Sequence, residues 1–307
     1  MLTFLGFVGC LIGCGDMPPV RFQLGGLQGA ENVEFTPAAP RPEMQIVTFD
    51  HEGGAVAKEV LFAKGAAADA AAALGFTLAV TSPASVGIGG GGVCIARDAK
   101  GALEGLDFRG ARLARGFLAL QAKLGNRPWS SLVVSAETMA RFGHKVSPAL
   151  ARDVENYGGA LVADSVALSA FMTPERRLIA AGDDWRQPRL ADTLARLRKP
   201  GFFAGSAATW FVPEAKPGEI ALEPGTTGFA VADDAGGAVA CALTMGRPFG
   251  IGSMTHDGGY LFPASSPQNK TLDQLALGFM ACLKSNKPED PNAPRCPAPD
   301  AAFSLMP

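Results

Sequence analysis

The chain has 307 residues, of which 48% are hydrophobic and 18% charged, and its formal net charge at pH 7 is −2. This length is sufficient for one substantial hydrophobic core or two smaller ones. A nearly neutral chain with two tyrosines, three tryptophans and no cluster of basic residues along its sequence gives no argument for a nucleic-acid partner.

The first fourteen residues form a short apolar segment that ends in Leu11-Ile12-Gly13-Cys14. This ending resembles the lipobox of bacterial lipoproteins and predicts a signal peptide over residues 1–14 with Cys14 as the lipidated residue. We therefore expect an exported, periplasmic protein that a lipid anchor holds to the membrane. Because the segment lacks the positively charged start of an export signal, an atypical signal, a start further upstream or a buried apolar strand are the alternatives.

The elements that follow suggest helices between two groups of strands. Residues 15–45 are rich in proline, glycine and alanine and predict a flexible tether. Helical spacing is found over residues 54–64, 66–80, 131–142, 148–157, 164–171, 189–198 and 271–284. Alternating apolar runs predict strands over residues 93–97, 103–108, 227–233, 238–244 and 259–262. This order favours an α+β sandwich, followed by a Pro-rich tail over residues 286–307 that we expect to be disordered.

The cysteines and histidines predict no metal site. Cys94 and Cys241 lie in apolar, strand-like runs and are expected to be buried small hydrophobic side chains. Cys282 and Cys296 flank a segment rich in lysine, proline and asparagine, and could close a disulfide loop in an exported protein. Since no Cys/His spacing matches a metal site, neither a metal nor another cofactor is predicted.

A threonine pair, Thr226-Thr227, begins an alternating apolar run after the Pro/Glu-rich linker 212–225. It predicts the first residues of a buried strand. If the peptide bond before Thr226 is cut, its freed α-amine can take the proton from its own hydroxyl, so one residue supplies both nucleophile and base. The alternative is a β-branched pair with a purely structural role.

The run from Thr226 to Gly252 resembles the start of the small subunit of γ-glutamyltransferases, which are N-terminal-nucleophile hydrolases. The shared pattern is a Thr-Thr pair, a strand, an Asp-x-x-Gly turn at 233–236, a second strand that ends in Thr244, and a Phe-Gly-x-Gly loop at 249–252. Four segments further upstream resemble the large subunit, in the right order, at residues 64–75, 79–83, 87–92 and 106–109.

This resemblance implies a fold and an organisation of the chain. The fold is the four-layer αββα sandwich of N-terminal-nucleophile hydrolases, here truncated. The chain then divides into a large-subunit-like region over residues 46–225 and a small-subunit-like region over residues 226–285. Autocatalytic cleavage between Gly225 and Thr226 would separate the two regions.

The resemblance also implies roles for three side chains. Thr226 would attack the γ-amide of a glutathione-like γ-glutamyl substrate, and Thr244 would hydrogen-bond to its hydroxyl and aim it. Arg109 would bind the substrate α-carboxylate, because a guanidinium matches a carboxylate with two parallel hydrogen bonds. The alternative for Arg109 is an ordinary surface arginine at a strand end.

Departures from the family pattern keep three hypotheses open. Gly228 and Gly246 stand where the family has a histidine and a substrate-contacting asparagine, and the later segment that supplies the oxyanion hole has no counterpart in these 307 residues. The protein is a reduced but active γ-glutamyl hydrolase or transferase, an inactive relative that acts as a lipid-anchored binding or structural protein, or one part of a two-chain enzyme. In the third case a partner chain or self-association would cover unpaired strand edges.

Overall fold

The computed structural model describes residues 43–109, 112–199, 208–214, 222–264, 271–283 and 302–304. The predicted signal peptide with Cys14, the predicted tether up to residue 42, and Cys296 lie outside these described residues.

The described residues contain both helices and strands. The helices are α1 (His51–Phe62), α2 (Ala67–Thr81), α3 (Leu113–Leu124), α4 (Trp129–Leu132), α5 (Val134–Phe142), α6 (Pro148–Tyr157), α7 (Ser165–Ala170), α8 (Pro188–Leu197) and α9 (Thr271–Cys282). The strands are β1 (Gln45–Thr48), β2 (Gly91–Arg97), β3 (Leu103–Asp107), β4 (His144–Lys145), β5 (Asp184–Trp185), β6 (Thr209–Phe211), β7 (Thr226–Ala232), β8 (Ala238–Thr244) and β9 (Ala302–Ser304).

Seven of these strands form one antiparallel sheet in the order β6-β3-β2-β8-β7-β1-β9, and β4 pairs with β5 separately. The register of the central hairpin pairs Thr226 with Thr244 and Ala232 with Ala238. Side chains alternate between the two faces of a sheet, so successive residues of each strand contribute to two different cores, one on each face.

The first core lies under the alanine-rich helix α2. All fifteen residues of α2 are buried, and α2 packs against β7 and β8 as well as against α1, α3 and α5. Gly75 allows the close approach of α3, since a side chain there would collide with the ring of Phe117. Asp69 is fully buried and accepts hydrogen bonds from the backbone N–H groups of Ala66, Asn126 and Arg127 at 2.8–3.1 Å. The single charge in this helix therefore fixes its start to the segment after α3, although burial raises the pKa of this carboxyl.

The second core lies on the opposite face of the sheet, under α9. Leu275, Ala276 and Phe279 of α9 pack against strand residues such as Ala230 and Ala242. The α+β class is confirmed, and a helical layer covers each face of the large sheet. Of the four layers in an αββα sandwich, the described residues contain one large sheet, and α9 covers the face that bears Thr226.

Several elements differ from the predictions. The strands β1 and β6 and the helix α3 were not predicted, whereas residues 259–262 form no strand and Leu261 makes only an isolated bridge to Met254. Part of the tail is ordered, because β9 pairs with β1 at the sheet edge. The strands are short or depend on pairing partners that are distant in the sequence, so local periodicity gives little signal for them. The twelve-residue helix α3 was missed although its buried residues Leu113, Phe117 and Leu120 have helical spacing.

Cys94 and Cys241 are buried, as predicted, but they also form a disulfide that the sequence did not indicate. They are directly opposed on β2 and β8 and form a disulfide with a Cα–Cα distance of 4.1 Å. Both are fully buried, so burial was expected correctly and the covalent bond was not. Cys282 is also disulfide-bonded, whereas Cys296, its predicted partner, lies outside the described residues.

Candidate active site

The nucleophile candidate lies at the first residue of β7, beside the last residue of β8. The hydroxyl of Thr226 donates a hydrogen bond to Oγ1 of Thr244 at 3.1 Å. Thr244 is buried and also accepts a hydrogen bond from the backbone N–H of Gly246 at 2.9 Å. The hairpin register thus brings together two threonines that are eighteen residues apart.

Two donors hold the carbonyl oxygen of Gly225, the group that precedes Thr226. The backbone N–H of Met245 donates to it at 2.9 Å and the hydroxyl of Thr244 at 3.1 Å. Gly225 has a φ of +85°, and a side chain there would collide with the backbone of Arg247. A pair of donors on one carbonyl oxygen is the arrangement that stabilises an oxyanion. Sequence reasoning missed Met245, because a backbone amide carries no motif and only the strand pairing places it there.

The sheet register aligns Arg109 with the two threonines. Thr226 pairs with Thr244, Thr244 pairs with Gly91, and Gly91 lies beside Arg109, since a Cβ on Gly91 would be 2.9 Å from the Cα of Arg109. Three strand spacings separate Thr226 from Arg109, which is roughly 14 Å between backbones. Gly91, which lies between them, contributes no side chain, and a Cβ there would collide with the Phe108 carbonyl oxygen.

Arg109 belongs to a small cluster of charges with an excess of acid. Its Nε donates to both carboxylate oxygens of Asp107, at 3.0 and 3.1 Å, and its Nη2 lies 3.9 Å from Oδ1 of Asp273 in the first turn of α9. The Asp107 hydrogen bond, together with attraction to Asp107 and Asp273, raises the pKa of Arg109 against the effect of burial. Desolvation is the largest single influence on Asp107, but the combined contacts with Arg109 outweigh it and lower the pKa of that carboxyl.

Asp273 is the member of this cluster that the sequence did not indicate. Burial raises its pKa, which the Arg109 charge partly offsets. Its Oδ1 is buried and has no hydrogen-bond partner within the described residues. A buried carboxylate oxygen without a donor is costly, and a ligand that brings an N–H group would satisfy it.

The glycine that replaces the family's histidine has a structural reason in this chain. A side chain on Gly228 would collide with the ring of Phe279 of α9. Because Gly228 has no side chain, α9 can lie directly on the sheet next to the Thr226 position. The backbone amides of another glycine pair, Gly258-Gly259, could in principle act as oxyanion donors. This pair packs against α8 instead, where a Cβ on Gly259 would be 2.5 Å from the Leu190 nitrogen.

Two further properties of the described residues bear on possible ligands. Among them, no group of three or more histidine, cysteine, aspartate or glutamate side chains is arranged to hold a metal ion. Also within this part of the chain, no helix combines the length and apolar character needed to span a bilayer.

A family model described as Gamma-glutamyltranspeptidase matches residues 54–112 and 113–223, and so ends just before Thr226. The glutathione hydrolase proenzyme of Escherichia coli K12 is 27% identical over 232 residues, which cover 64% of this chain and 39% of the relative. The glutathione hydrolase proenzyme of Pseudomonas aeruginosa is 31% identical over 202 residues, which cover 54% of this chain and 35% of the relative. The chain thus spans less than two fifths of the length of these curated relatives.

Two solved structures are similar to parts of this chain. The γ-glutamyltranspeptidase of Helicobacter pylori is 26% identical with a TM-score of 0.47, and the match covers 50% of this chain and 53% of that chain. The cephalosporin acylase of Bacillus halodurans is 15% identical with a TM-score of 0.57, over 78% of this chain and 72% of that chain. At this identity the second likeness concerns the fold alone.

Proposed function

Because the chain belongs to the gamma-glutamyltranspeptidase family, we propose that it is an N-terminal-nucleophile enzyme that hydrolyses or transfers the γ-glutamyl group of glutathione-like small molecules. The family model matches more than half of the chain, which confirms the resemblance found in the sequence. The observation that carries the proposed activity is the contact of Thr226 with Thr244 beside the Gly225 carbonyl.

The first proposed reaction is cleavage of the chain itself. The Thr226 hydroxyl oxygen attacks the carbonyl carbon of Gly225, a C–O bond forms, and the C–N bond breaks as the nitrogen takes a proton. Water then hydrolyses the resulting ester and leaves Thr226 with a free α-amine. The Met245 N–H and the Thr244 hydroxyl are placed to stabilise the negative charge that develops on the Gly225 oxygen.

The second proposed reaction uses the amine that the first one frees. The Thr226 amine takes the proton of its own hydroxyl, whose oxygen attacks the γ-carbonyl carbon of the substrate. A γ-glutamyl ester forms, and the leaving amine departs with that proton. Water or an amino acid then breaks the ester and regenerates the hydroxyl.

The charge cluster supports a ligand that is an amino acid. Arg109 offers a guanidinium for the α-carboxylate. Asp107 and Asp273 give the cluster one negative charge in excess, and Oδ1 of Asp273, which accepts no hydrogen bond within the described residues, suits the α-ammonium group of the same ligand. A γ-glutamyl donor carries both groups on one carbon atom.

We also propose export to the periplasm and attachment through a lipid on Cys14, as the lipobox-like segment predicts. The disulfide between Cys94 and Cys241 supports this location, because such bonds form and persist in oxidising compartments.

A second candidate function is that of a binding protein without turnover. The packing of Phe279 over Gly228 favours it, since α9 covers the sheet face on which the nucleophile lies. In that case the charge cluster around Arg109 would still bind γ-glutamyl compounds.

Intact mass spectrometry of the purified full chain under denaturing conditions tests the proposal, with Thr226→Ala as the matched control. Two fragments that meet at Gly225/Thr226 in the wild type, and an uncut control, are the expected result. Hydrolysis of a γ-glutamyl anilide should then appear in the cleaved protein only. An uncut wild-type chain after long incubation would overturn the enzyme proposal, and native mass measurement would show whether a partner chain or second copy is bound.

A further inference from the structure

A concave site lies beyond the glycine-rich loop 87–90, away from the threonine pair. The cavity has a volume of about 430 Å³ and is formed by the start of α3, the end of α8 and the loop 254–262. The glycine-rich loop separates it from the candidate active site: a Cβ on Gly90 would be 2.8 Å from the Thr244 carbonyl oxygen, and one on Gly89 would be 2.8 Å from the Leu261 carbonyl oxygen. Its volume lies within the range of small-molecule pockets.

The lining of this cavity is positively charged, whereas the whole chain carries a small negative net charge. Arg112, Arg115 and Arg196 line it together with His256, whereas the chain carries a net charge of −2. Among the described residues that line it, the acidic one is Asp257, whose side chain is 96% exposed and lies at the rim beside His256. The remaining wall is largely apolar and is contributed by Ile88, Ala114, Leu197, Met254, Tyr260 and Phe262.

Hydrogen bonds hold one wall of the cavity in place. The buried hydroxyl of Thr193 donates to the Gly258 carbonyl at 2.8 Å and accepts from Nη2 of Arg196 at 3.0 Å. These bonds connect the end of α8 to the loop and orient the Arg196 guanidinium. A site whose groups are positioned before binding loses less conformational entropy when a ligand arrives.

A second anchor fixes the other end of the same loop. Asp164, the N-cap of α7, accepts hydrogen bonds from the Ser253 hydroxyl at 2.6 Å and from the Met254 N–H at 3.1 Å. The Ser253 bond, followed by backbone bonds from Met254 and Ala167, lowers the pKa of Asp164 to about 2. The loop is therefore tied to α7 as well as to α8 at neutral pH.

We propose that this cavity binds an amphiphilic anion, a small molecule with a carboxylate or phosphate head and an apolar body. Guanidinium groups match both heads with paired hydrogen bonds, and the apolar wall accepts the body of the molecule. This site is independent of the proposed nucleophile, so Thr226→Ala should bind the same anion unchanged.

Isothermal titration of the full chain with octanoate, octyl phosphate and octan-1-ol tests the proposal and distinguishes the two heads. We expect one-to-one binding of at least one anion with a Kd on the order of 1 mM or tighter, and binding of the alcohol that is about tenfold weaker or undetectable. Arg112→Gln and Arg196→Gln should each weaken the anion by about tenfold or more. Arg152→Gln, an exposed arginine on α6 outside this cavity, should leave the affinity unchanged.

Two outcomes would overturn the proposal. One is the absence of saturable binding by either anion, and the other is anion binding that neither arginine variant weakens. Thermal unfolding of each variant checks that its fold is intact. Arg112→Gln is the variant that should disturb the fold less, because the Arg112 side chain is exposed at the start of α3.

Discussion

Replacing Thr244 by valine separates a catalytic role of its hydroxyl from a structural one. Valine keeps the shape of threonine and removes an oxygen that contacts the Thr226 hydroxyl, the Gly225 carbonyl and the Gly246 N–H. The Gly225 oxygen would retain the Met245 N–H as a donor. Losing one of two oxyanion donors typically slows a reaction about 100- to 1000-fold, which corresponds to about 2.7–4 kcal/mol.

The same change should have a smaller effect on stability. The Gly246 N–H loses its acceptor, and a buried group left unsatisfied costs about 1–3 kcal/mol. We therefore expect Thr244→Val to fold with a lower free energy of unfolding and to cleave itself about 100- to 1000-fold more slowly than the wild type. Cell-free synthesis followed by timed quenching and intact mass measurement gives the cleavage rate, and urea titration of the uncut Thr226→Ala background gives the stability.

Two variants serve as controls for this experiment. Thr244→Ser keeps the hydroxyl and should cleave at close to the wild-type rate. Thr227→Val makes the same substitution at the next position of β7, which faces the other side of the sheet, and should leave cleavage unchanged. If Thr244→Val cleaved as fast as the wild type, the Thr244 hydroxyl would not act as an oxyanion donor in the reaction.

Three further predictions concern stability. Gly228→Ala should lower the free energy of unfolding by about 1–3 kcal/mol, because a methyl group there meets a phenylalanine ring of α9. Urea titration measures this free energy. Gly159→Ala is the control and should have little effect, because a methyl group at that position points into open space. Reduction of the Cys94–Cys241 bond should cost about 2–5 kcal/mol, so a reductant should lower the Tm of the wild type more than that of the Cys94→Ala/Cys241→Ala variant. The lowered pKa of Asp164 should add stability that is present above pH 3.8 and is lost as the pH falls toward about 2. Acid unfolding of Asp164→Asn should lack that dependence. Equal acid-unfolding profiles of the wild type and this variant would contradict the contacts assigned to Asp164.

Part of the candidate site could be predicted from the sequence. The alternation after residue 226 and the matching run that ends in Thr244 predicted two paired strands, and the family pattern identified Arg109. The structure places these three residues in one row across neighbouring strands, while their catalytic and binding roles stay predictions. Asp273 and the Met245 N–H could not be found in this way, because their significance depends on which strand or helix lies next to them.

The disulfide is a second feature that the sequence could predict only in part. Their apolar surroundings correctly predicted that Cys94 and Cys241 are buried. A chain separation of 147 residues gave no sign that they bond to each other. That pairing requires β2 and β8 to be adjacent and in a register that places the two residues directly opposite.

The sequence by itself determined the α+β class, the main helices, the central hairpin and the family, because each depends on local periodicity or on motifs that are continuous along the chain. Only the tertiary structure decided which groups meet: the donors on the Gly225 carbonyl, the acidic cluster around Arg109, the cover that α9 provides, and the arginines of the cavity beyond the glycine-rich loop. The physical reason is that strand register and helix packing bring together residues from distant parts of the chain, and no local pattern encodes these distances.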